Sequence, residues 1–442
     1  MHVLDVCTAL GLSRVPCSRA MATEGSARRH ASIMRVEKVR PTRRCAVKPH
    51  RTPVDRRTFL ELGGAASALA VTGCGRNGPP PAATAGAKMR YRALGRTGLK
   101  VSEVSFGAHG ARNPELMVAA VDAGMNMVMT AGGYLDGREE EAVGEALRTI
   151  GSRCDGFVVV TGDIFGGGAT KQRALGAVDA SLRRLGTDRI EVFCVYEVQT
   201  PRDVRHEDVL EGLEEARRAG KVLHVGLSGH HGGLQACLDA AIDDGRYEAF
   251  FIRHDFVSYP DQAAILRRAA EKGIGVVVFK TNAGARQHEV KDLEEGGLSF
   301  PQATVKWALT NPDVASVLVS ITNFGQIRTF TDAAGSPLTA GEARMLRRYA
   351  EEMWNRYCRF CRACEPSCPR GVAVADVNRF AMYFACYGRE KDAMELYHRL
   401  PRERTAAACQ SCVGPCDGAC PFGRRVRDEL VAAHNQLGFA RG

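Results

Sequence analysis

The chain has 442 residues, of which 45% are hydrophobic and 25% charged, and this globular composition excludes disorder throughout. Its formal net charge is +10, and it contains 16 cysteines in a chain too long for a small disulfide-stapled domain. No apolar run reaches the ~20 residues that a bilayer-spanning helix needs. What the charges and the cysteines indicate about function therefore depends on their positions along the chain.

The first 57 residues carry most of the positive charge. They contain 13 Arg and Lys against 4 Asp and Glu, so the rest of the chain is almost neutral. A nucleic-acid footprint should lie on a folded surface or in an arm beside a binding domain. We therefore interpret residues 1–57 as a basic extension and predict no nucleic-acid partner.

An export signal is predicted at the end of this extension. The pair Arg56-Arg57 precedes a weakly apolar stretch of small residues at 58–73, and a Pro, Ala and Gly linker follows to residue 87. This order is typical of an export signal, and the arginine pair resembles the twin-arginine (Tat) type. Cys74 ends a Val-Thr-Gly-Cys sequence that resembles a lipoprotein cleavage site. The resemblance implies a periplasmic protein, either soluble or anchored to the membrane through Cys74.

Short apolar runs alternate with amphipathic helical stretches from residue 88 to residue 337. Eight such units in about 230 residues fit a closed parallel α/β barrel of ~250 residues. An open doubly wound sheet usually has a Gly-x-Gly-x-x-Gly turn after its first strand, and none is present here. The predicted strands are 104–106, 127–130, 157–161, 192–196, 223–227, 250–253, 276–279 and 317–319. The predicted helices are 115–123, 139–149, 171–185, 207–219, 233–244, 261–272, 301–309 and 325–334.

Three stretches of this barrel region resemble the aldo-keto reductases. Residues 89–102 are similar to the opening hairpin of that family, 220–228 to its fifth strand, and 301–312 to its seventh helix. The resemblance covers about residues 89–335. It implies a (β/α)8 TIM barrel whose active site lies at the carboxyl ends of the strands, and an oxidoreductase activity.

Most catalytic residues of that family are replaced in this sequence. The family uses an Asp, a Tyr, a Lys and a His, and its lysine lowers the pKa of the tyrosine so that the phenol can act as an acid. Tyr134 matches the tyrosine, whereas Met129, Gly162 and Tyr196 stand at the Asp, Lys and His positions. The sequence therefore argues against the usual NADPH-dependent carbonyl reduction and weakens the expectation of NADP(H) as a cofactor.

Polar residues nevertheless follow the predicted strands at the mouth of the barrel. The candidate catalytic residues are Tyr134, Tyr196 and His254. The candidate cofactor-binding residues are Ser228, Lys280, Asn323 and Gln326. Other polar residues at this level are Thr130, Asp163, Glu197, His230, His231, Arg253 and Asp255. The alternative interpretation is a solvated rim, because loops are polar by default.

A linker helix and a cysteine-rich tail follow the barrel. Thr339 and Glu342 have the spacing of a capping box, which predicts a linker helix over 338–357 that runs to about Tyr357. Nine of the 16 cysteines lie in residues 358–420, and the tail as a whole covers 358–442. Helices are predicted there at 377–387 and 393–400, with Cys386 among apolar neighbours.

The cysteines of the tail form two runs. The first is Cys358-x2-Cys361-x2-Cys364-x3-Cys368-Pro, and the second is Cys409-x2-Cys412-x3-Cys416-x3-Cys420-Pro. The first run resembles that of bacterial ferredoxins, in which three close cysteines hold one 4Fe–4S cluster and the fourth reaches the other. That resemblance implies a mainly helical, two-cluster ferredoxin-like domain. One cluster would be held by Cys358, Cys361, Cys364 and Cys420. The second would be held by Cys409, Cys412, Cys416 and Cys368.

Zinc and disulfides are the alternatives for these cysteines. A structural zinc ion normally takes two separated Cys-x2-Cys pairs, and the runs contain more cysteines than that. Disulfides suit an exported protein but do not account for two Cys-x3-Cys-Pro endings. The x3 gap before Cys416 also departs from the commonest ferredoxin spacing.

The whole pattern predicts an exported iron–sulfur oxidoreductase of aldo-keto reductase-like type. Electrons would reach or leave a site in the barrel mouth through two 4Fe–4S clusters. The expected partners are a redox protein or a membrane electron donor, and a small-molecule substrate. Two alternatives remain open: a non-catalytic electron-transfer or scaffold subunit, and a conventional NADPH-dependent aldo-keto reductase.

Overall fold

The structure is a computed structural model that describes residues 89–109, 113–151, 156–230, 232–257, 262–285, 290–353 and 355–438. All of these residues belong to one compact unit. The arginine pair, Cys74 and the rest of the predicted export signal lie outside the described residues, as does His231. No helix in the described ranges is both long and apolar enough to cross a membrane.

Eight parallel strands form a closed barrel in the order β3-β4-β5-β6-β7-β8-β9-β10, and β10 pairs again with β3. Every strand predicted from the apolar pattern is present, and only the ends differ by one or two residues. A separate antiparallel hairpin, β1-β2, precedes the barrel. The strands are β1 Tyr91–Ala93, β2 Lys100–Ser102, β3 Val104–Gly107, β4 Met127–Met129, β5 Val158–Asp163, β6 Ile190–Val195, β7 Val222–Gly229, β8 Ala249–Arg253, β9 Gly275–Phe279 and β10 Ser316–Ser320.

The eight predicted barrel helices are also present in the described residues. They are α1 Pro114–Asp122, α2 Arg138–Ile150, α3 Lys171–Leu185, α5 Glu207–Arg218, α6 Leu234–Asp244, α7 Gln262–Glu271, α8 Phe300–Leu309 and α9 Phe324–Thr331, with the one-turn helix α4 Pro201–Val204 before α5. Their apolar faces pack on the outside of the barrel, whereas Val160, Val192 and Phe251 belong to the core inside it.

The hairpin covers the amino-terminal end of the barrel. Gly95 has a φ of 53°, and a Cβ there would lie 2.2 Å from the backbone nitrogen of Gly275. The neighbouring Arg96 donates a backbone hydrogen bond of 2.6 Å to the carbonyl of Gly273. Only glycine permits this close approach, which places the hairpin at the end of the barrel opposite the carboxyl end, where active sites of this fold lie.

The tail is helical and follows the linker helix α10 Ala340–Glu352. It contains α11 Val374–Cys386, α12 Glu390–His398, α13 Pro415–Gly418 and α14 Val426–Leu437. Phe380, Tyr397 and Leu430 belong to a buried cluster that also includes Val257 and Phe300 of the barrel, and Cys386 is partly buried against it. The ferredoxin-like character of the tail stays a prediction.

The capping box that begins α10 is confirmed, but the predicted length of the helix is wrong. The Thr339 hydroxyl accepts a hydrogen bond from the Glu342 nitrogen, and the Glu342 carboxylate accepts one from the Thr339 nitrogen. The helix ends at Glu352 rather than near residue 357. Turn-like bonds follow, since the Tyr357 nitrogen bonds to the Met353 carbonyl. This turn places Tyr357 in edge-to-face contact with Phe360, at 5.9 Å between ring centroids.

Candidate functional site

Tyr134 and Tyr196, two of the candidate catalytic residues, lie together at the carboxyl end of the barrel. Their rings make an edge-to-face contact at 6.1 Å between centroids. The Tyr196 hydroxyl donates a 2.5 Å hydrogen bond to the Thr130 carbonyl. Burial raises the pKa of both phenols well above the ordinary range, and the Glu197 carboxylate raises that of Tyr134 further. Neither phenol is therefore prepared to give up a proton near neutral pH.

Gly162 shows why Tyr134 lacks a lysine beside it. A Cβ at Gly162 would lie 2.6 Å from the Tyr196 ring and 2.1 Å from the Cys194 carbonyl oxygen. The Tyr196 ring thus occupies the space that a longer side chain at position 162 would need. The Tyr196 ring can take this position because residue 162 has no side chain.

A different cationic side chain meets a different tyrosine in the same region. Lys280, directly after β9, places Nζ 2.6 Å from the hydroxyl of Tyr383 on α11. The Tyr383 hydroxyl also lies 3.4 Å from Nδ1 of His230, directly after β7. Nε2 of His230 lies 3.6 Å from the Glu197 carboxylate. The tail therefore contributes a side chain to the mouth of the barrel.

Backbone strain is concentrated in the same region. Within the described residues, five non-glycine residues have a positive φ, namely Glu197, Lys280, Ala283, Phe360 and Arg362. Three of them follow the barrel strands β6 and β9, and two lie within the first cysteine run. Such conformations cost about 1–3 kcal/mol each and tend to occur at functional sites.

His254, the third candidate catalytic residue, is buried away from the two tyrosines. Its Nδ1 lies 3.0 Å from the Gln262 side-chain oxygen, and its ring packs 4.9 Å from that of Trp307. Burial lowers the pKa of His254, which favours the neutral ring. These contacts join the end of β8 to α7 and α8, and a catalytic role for His254 stays a prediction.

Asn323 and Gln326, two of the four candidate cofactor-binding residues, lie in contact at the start of α9. Asn323 caps α9 by accepting a hydrogen bond from the Gln326 nitrogen, and the Gln326 side chain accepts one of 2.7 Å from the Thr322 nitrogen. Ser228 is buried in β7. Lys280 is engaged by Tyr383. A dinucleotide would therefore have to displace a contact from the tail to reach Lys280.

Four cysteines from both runs line one cavity in the tail. The space between these side chains is about 350 Å³ and is partly open to solvent. Its cysteines are Cys358, Cys361, Cys364 and Cys420. Burial and the other three thiols raise the pKa of Cys364 to about 12. The Phe360 nitrogen lies 3.4 Å from the Cys358 sulfur, in the geometry of an N–H···S hydrogen bond.

The remaining four cysteines of the two runs form a second group. Burial and the nearby thiols of Cys368, Cys416 and Cys412 raise the pKa of Cys409 to about 11. Burial and the Asp417 carboxylate raise the pKa of Cys416, as do the thiols of Cys368 and Cys412. Cys368 thus lies near the second run and Cys420 near the first, and their role as cluster ligands stays a prediction.

The first cysteine run lies against the mouth of the barrel. The Arg359 side chain donates a 3.2 Å hydrogen bond to the Val257 carbonyl, beyond β8. A Cβ at Gly232 would lie 2.5 Å from the Phe360 carbonyl and 2.8 Å from the Arg362 side chain. The lack of a side chain at Gly232 therefore allows the cysteine loop to approach the loop after β7.

Sequence reasoning missed Tyr383 and Arg379 as residues of the mouth. Both lie on the predicted tail helix, with the i, i+4 spacing of one helix face. Lys280 and Tyr383 are 103 positions apart, so no local pattern connects them. The only signal was a helix between the cysteine runs that carries both aromatic and basic residues.

The comparisons with known proteins agree with the barrel. The profile of the Aldo/keto reductase family matches residues 111–287. A probable voltage-gated potassium channel subunit beta of Oryza sativa is 36% identical over 303 residues, which cover 54% of this chain and 89% of the relative. The uncharacterized oxidoreductase YrpG of Bacillus subtilis is 26% identical over 314 residues, covering 58% and 95% respectively.

One solved structure is similar over the same region. An aldo-keto reductase from Bacillus halodurans is 22% identical with a TM-score of 0.49, and the match covers 59% of this chain and 96% of that one. The family profile, the rice relative and the closed eight-stranded barrel carry the assignment. The chain belongs to the aldo/keto reductase family.

Proposed function

We propose that this aldo/keto reductase family member is an exported iron–sulfur oxidoreductase, in which electrons reach or leave a group in the barrel mouth by way of two 4Fe–4S clusters. The observation that carries the proposal is the cavity lined by Cys358, Cys361, Cys364 and Cys420. Cys420 is 56 positions beyond Cys364 in the sequence, and its arrival at the same cavity is what the ferredoxin arrangement requires.

The residues around the cavity fit such a group. Four thiolates crowded into one buried site repel each other, and iron offsets that repulsion. Arg359 and Arg424, both almost fully buried, also line the cavity and add positive charge beside the thiolates. A bound 4Fe–4S cluster would supply one-electron transfer, and four partly buried cysteines would hold it.

The zinc and disulfide alternatives have less support. None of the eleven cysteines in the described residues forms a disulfide. In the same residues, no group of three or more His, Cys, Asp and Glu side chains converges tightly enough to hold a single metal ion. The four thiolates that hold a 4Fe–4S cluster lie farther apart than the four ligands of one tetrahedral zinc ion, because the cluster is larger than the ion.

The position of the first cysteine group favours a redox role for the barrel. The loop from Cys358 to Cys364 contacts the barrel at Val257 and Gly232. The side chains that the family uses for NADPH-dependent reduction are replaced at three of four positions. An electron entering through the tail would make a nicotinamide donor unnecessary, so the partner is a redox protein or a membrane electron donor.

The test is anaerobic purification of the full chain with iron and sulfide quantitation and EPR of the reduced form. We expect about eight iron atoms per chain, as two 4Fe–4S clusters require. The Cys364→Ser variant should lose about half of the iron. The matched control is Cys237→Ser, at a buried cysteine of α6 in the barrel wall, which should keep all of it. Zinc in place of iron, or a chain without metal, would contradict the proposal.

A second measurement separates the alternatives. NADPH is titrated into the purified protein and followed by its fluorescence. Tight binding by a chain without iron would favour a conventional NADPH-dependent reductase. Redox-active clusters in a chain whose reactions with small molecules are unaffected by Tyr134→Phe would favour an electron-transfer or scaffold subunit.

Export is tested separately from the redox chemistry. The double variant Arg56→Lys, Arg57→Lys should keep the protein in the cytoplasm if the signal is of the twin-arginine type. Cys74→Ser should release it from the membrane fraction if Cys74 carries a lipid. Unchanged fractionation of both variants would contradict this part of the proposal.

A further inference from the structure

We propose that Tyr383, a residue of the tail, is the acid–base group of the barrel mouth, with Lys280 and Arg379 as positioning residues and His230 as its proton partner. The inference rests on the proposed function for the reaction it serves. Its test measures the ionisation of the Tyr383 phenol, so it needs no known substrate.

The hydrogen bonds around the Tyr383 hydroxyl define its chemistry. Lys280 donates to it at 2.6 Å and Arg379 at 3.3 Å, and neither cation can accept a hydrogen bond. Among the described residues, Nδ1 of His230 at 3.4 Å is the partner to which the phenolic hydrogen can be donated, in the tautomer that carries its hydrogen on Nε2. A buried phenol that accepts from two cations and donates to an imidazole is arranged to lose its proton.

The proton has a defined route from that hydroxyl. When the O–H bond of Tyr383 breaks, an N–H bond forms at Nδ1 of His230, and the phenolate remains between Lys280 and Arg379. The Nε2 proton of His230 faces the Glu197 carboxylate at 3.6 Å. No electron moves in this step. The phenol becomes negatively charged, and the proton that it loses either makes the His230 imidazole cationic or neutralises the Glu197 carboxylate.

Electrostatics support the geometry. Burial raises the pKa of Tyr383, but Lys280 and Arg379 outweigh it and lower the pKa below that of an ordinary phenol. Burial raises the pKa of other tyrosines in this part of the chain, including Tyr134, Tyr196 and Tyr387. Tyr383 thus differs from these tyrosines in having two cations beside its hydroxyl, and not in the extent of its burial.

Several segments around Tyr383 contribute charged or titratable groups. The segments after the strands β4, β6, β7 and β9 contribute one each, α11 supplies its own cation, and the turn after α11 supplies a cation and a stacked phenol. These groups are Tyr134, Glu197, His230, Lys280, Arg379, Arg389 and Tyr387. Arg379 also pairs with Asp376 at 3.2 Å and Arg389 with Asp392 at 3.0 Å, so Lys280, 2.6 Å from the hydroxyl, is the cation that most favours a phenolate at this position.

The strained backbone of Lys280 argues that this contact is more than packing. Lys280 has a φ of 58°, which a lysine adopts at a cost. This conformation directs its ammonium group to a phenol supplied by another part of the fold. Tyr383 is not at the position of Tyr134, which matches the family's tyrosine, so the inference concerns a second phenol that the tail supplies.

The test is a pH titration of tyrosinate absorbance on the full chain, purified anaerobically. We expect one tyrosine to ionise below the ordinary phenol range, and Tyr383→Phe to remove that step. Tyr387→Phe is the matched control, because its ring stacks on Tyr383 at 5.9 Å between centroids, and it should keep the step. Lys280→Met should move the step up by about 1–3 pH units, and Lys280→Arg should largely restore it.

Two outcomes would overturn the inference. A low-pH step that persists in Tyr383→Phe would belong to another group. A wild-type protein without such a step, but with a normal circular dichroism spectrum, would show that Tyr383 is an ordinary buried phenol. If the titration behaves as expected in a chain without iron, the proposed function fails while this inference stands.

Discussion

Arg253, the last residue of β8, donates a hydrogen bond from Nη2 to the backbone carbonyl of Arg359, with 3.1 Å between the two atoms. Its guanidinium group also lies over the Phe360 ring, 4.9 Å from the centroid. One side chain therefore joins the carboxyl end of a barrel strand to the loop that carries Cys358 and Cys361. The barrel and the cysteine-rich tail meet where the barrel's active site is expected.

This relationship predicts a loss of stability when Arg253 is shortened. Arg253→Met removes a hydrogen bond from a charged donor and a contact with an aromatic ring, so the free energy of unfolding should fall by about 2 kcal/mol. Anaerobic denaturant titration measures the change. Arg173→Met is the control, since Arg173 is half exposed and pairs with Asp163, a surface contact of about 1 kcal/mol or less. Equal losses in both variants would contradict a special role for the Arg253 contact.

The exchange of cysteines between the two runs predicts opposite effects for two substitutions. Cys420→Ser should remove the cluster held with Cys364, and Cys368→Ser the one held with Cys409. Each variant should keep about four iron atoms and the EPR signal of the other cluster. The comparison of the two EPR spectra decides the pairing. If both variants lost the same signal, the assignment of Cys368 and Cys420 would be wrong.

Buried positive charge beside the first group predicts a change in reduction potential. Arg359 is 3% exposed and lies over the Phe422 ring at the wall of the cavity. A nearby cation stabilises the form with the extra electron, so Arg359→Met should lower the potential of that cluster by about 50 mV or more, close to the ~59 mV of a tenfold one-electron change. Redox titration followed by EPR measures it.

Two variants control for the loss of a charge and for the loss of packing. Arg359→Lys keeps the charge and should keep most of the potential. Arg425→Met removes a neighbouring charge whose side chain is 85% exposed, and solvent should screen its effect. An unchanged potential in Arg359→Met would show that this guanidinium serves packing alone.

The barrel could be predicted from the sequence because its signal is local and repeated. Each strand is a short apolar run and each helix an amphipathic one, so the eight units are visible without knowledge of their contacts. The end of α10 could not be predicted, since the helical pattern continues past Glu352 while the chain turns toward Tyr357 for a tertiary contact. Helix ends depend on such contacts more than helix centres do.

The candidate site also contains residues that the sequence could predict and residues that it could not. Tyr134 and Tyr196 were placed at one end of the barrel because both follow a strand, and they lie in contact. His254 also follows a strand, yet its ring is directed to Gln262 and Trp307. Strand position fixes the level of a residue in the barrel but not the direction of its side chain. Tyr383 could not be predicted as a site residue, because its contact with Lys280 forms only when the tail packs against the barrel.

The ion pair between Lys306 on α8 and Glu342 on α10 predicts a pH dependence of stability. Their charged atoms are 2.6 Å apart, and both side chains are almost buried. Burial raises the pKa of Glu342, but Lys306 and the hydrogen bonds from Thr339 outweigh it and lower the pKa below its usual value. The stabilisation is therefore present above the unfolded glutamate pKa of about 4.3, and it is lost as the pH falls through the lower folded pKa. Glu342→Gln should reduce the free energy of unfolding by about 3 kcal/mol at pH 7, and the difference from wild type should shrink toward pH 3 in denaturant titrations. A difference that stayed constant over this range would mean that the carboxylate charge contributes nothing.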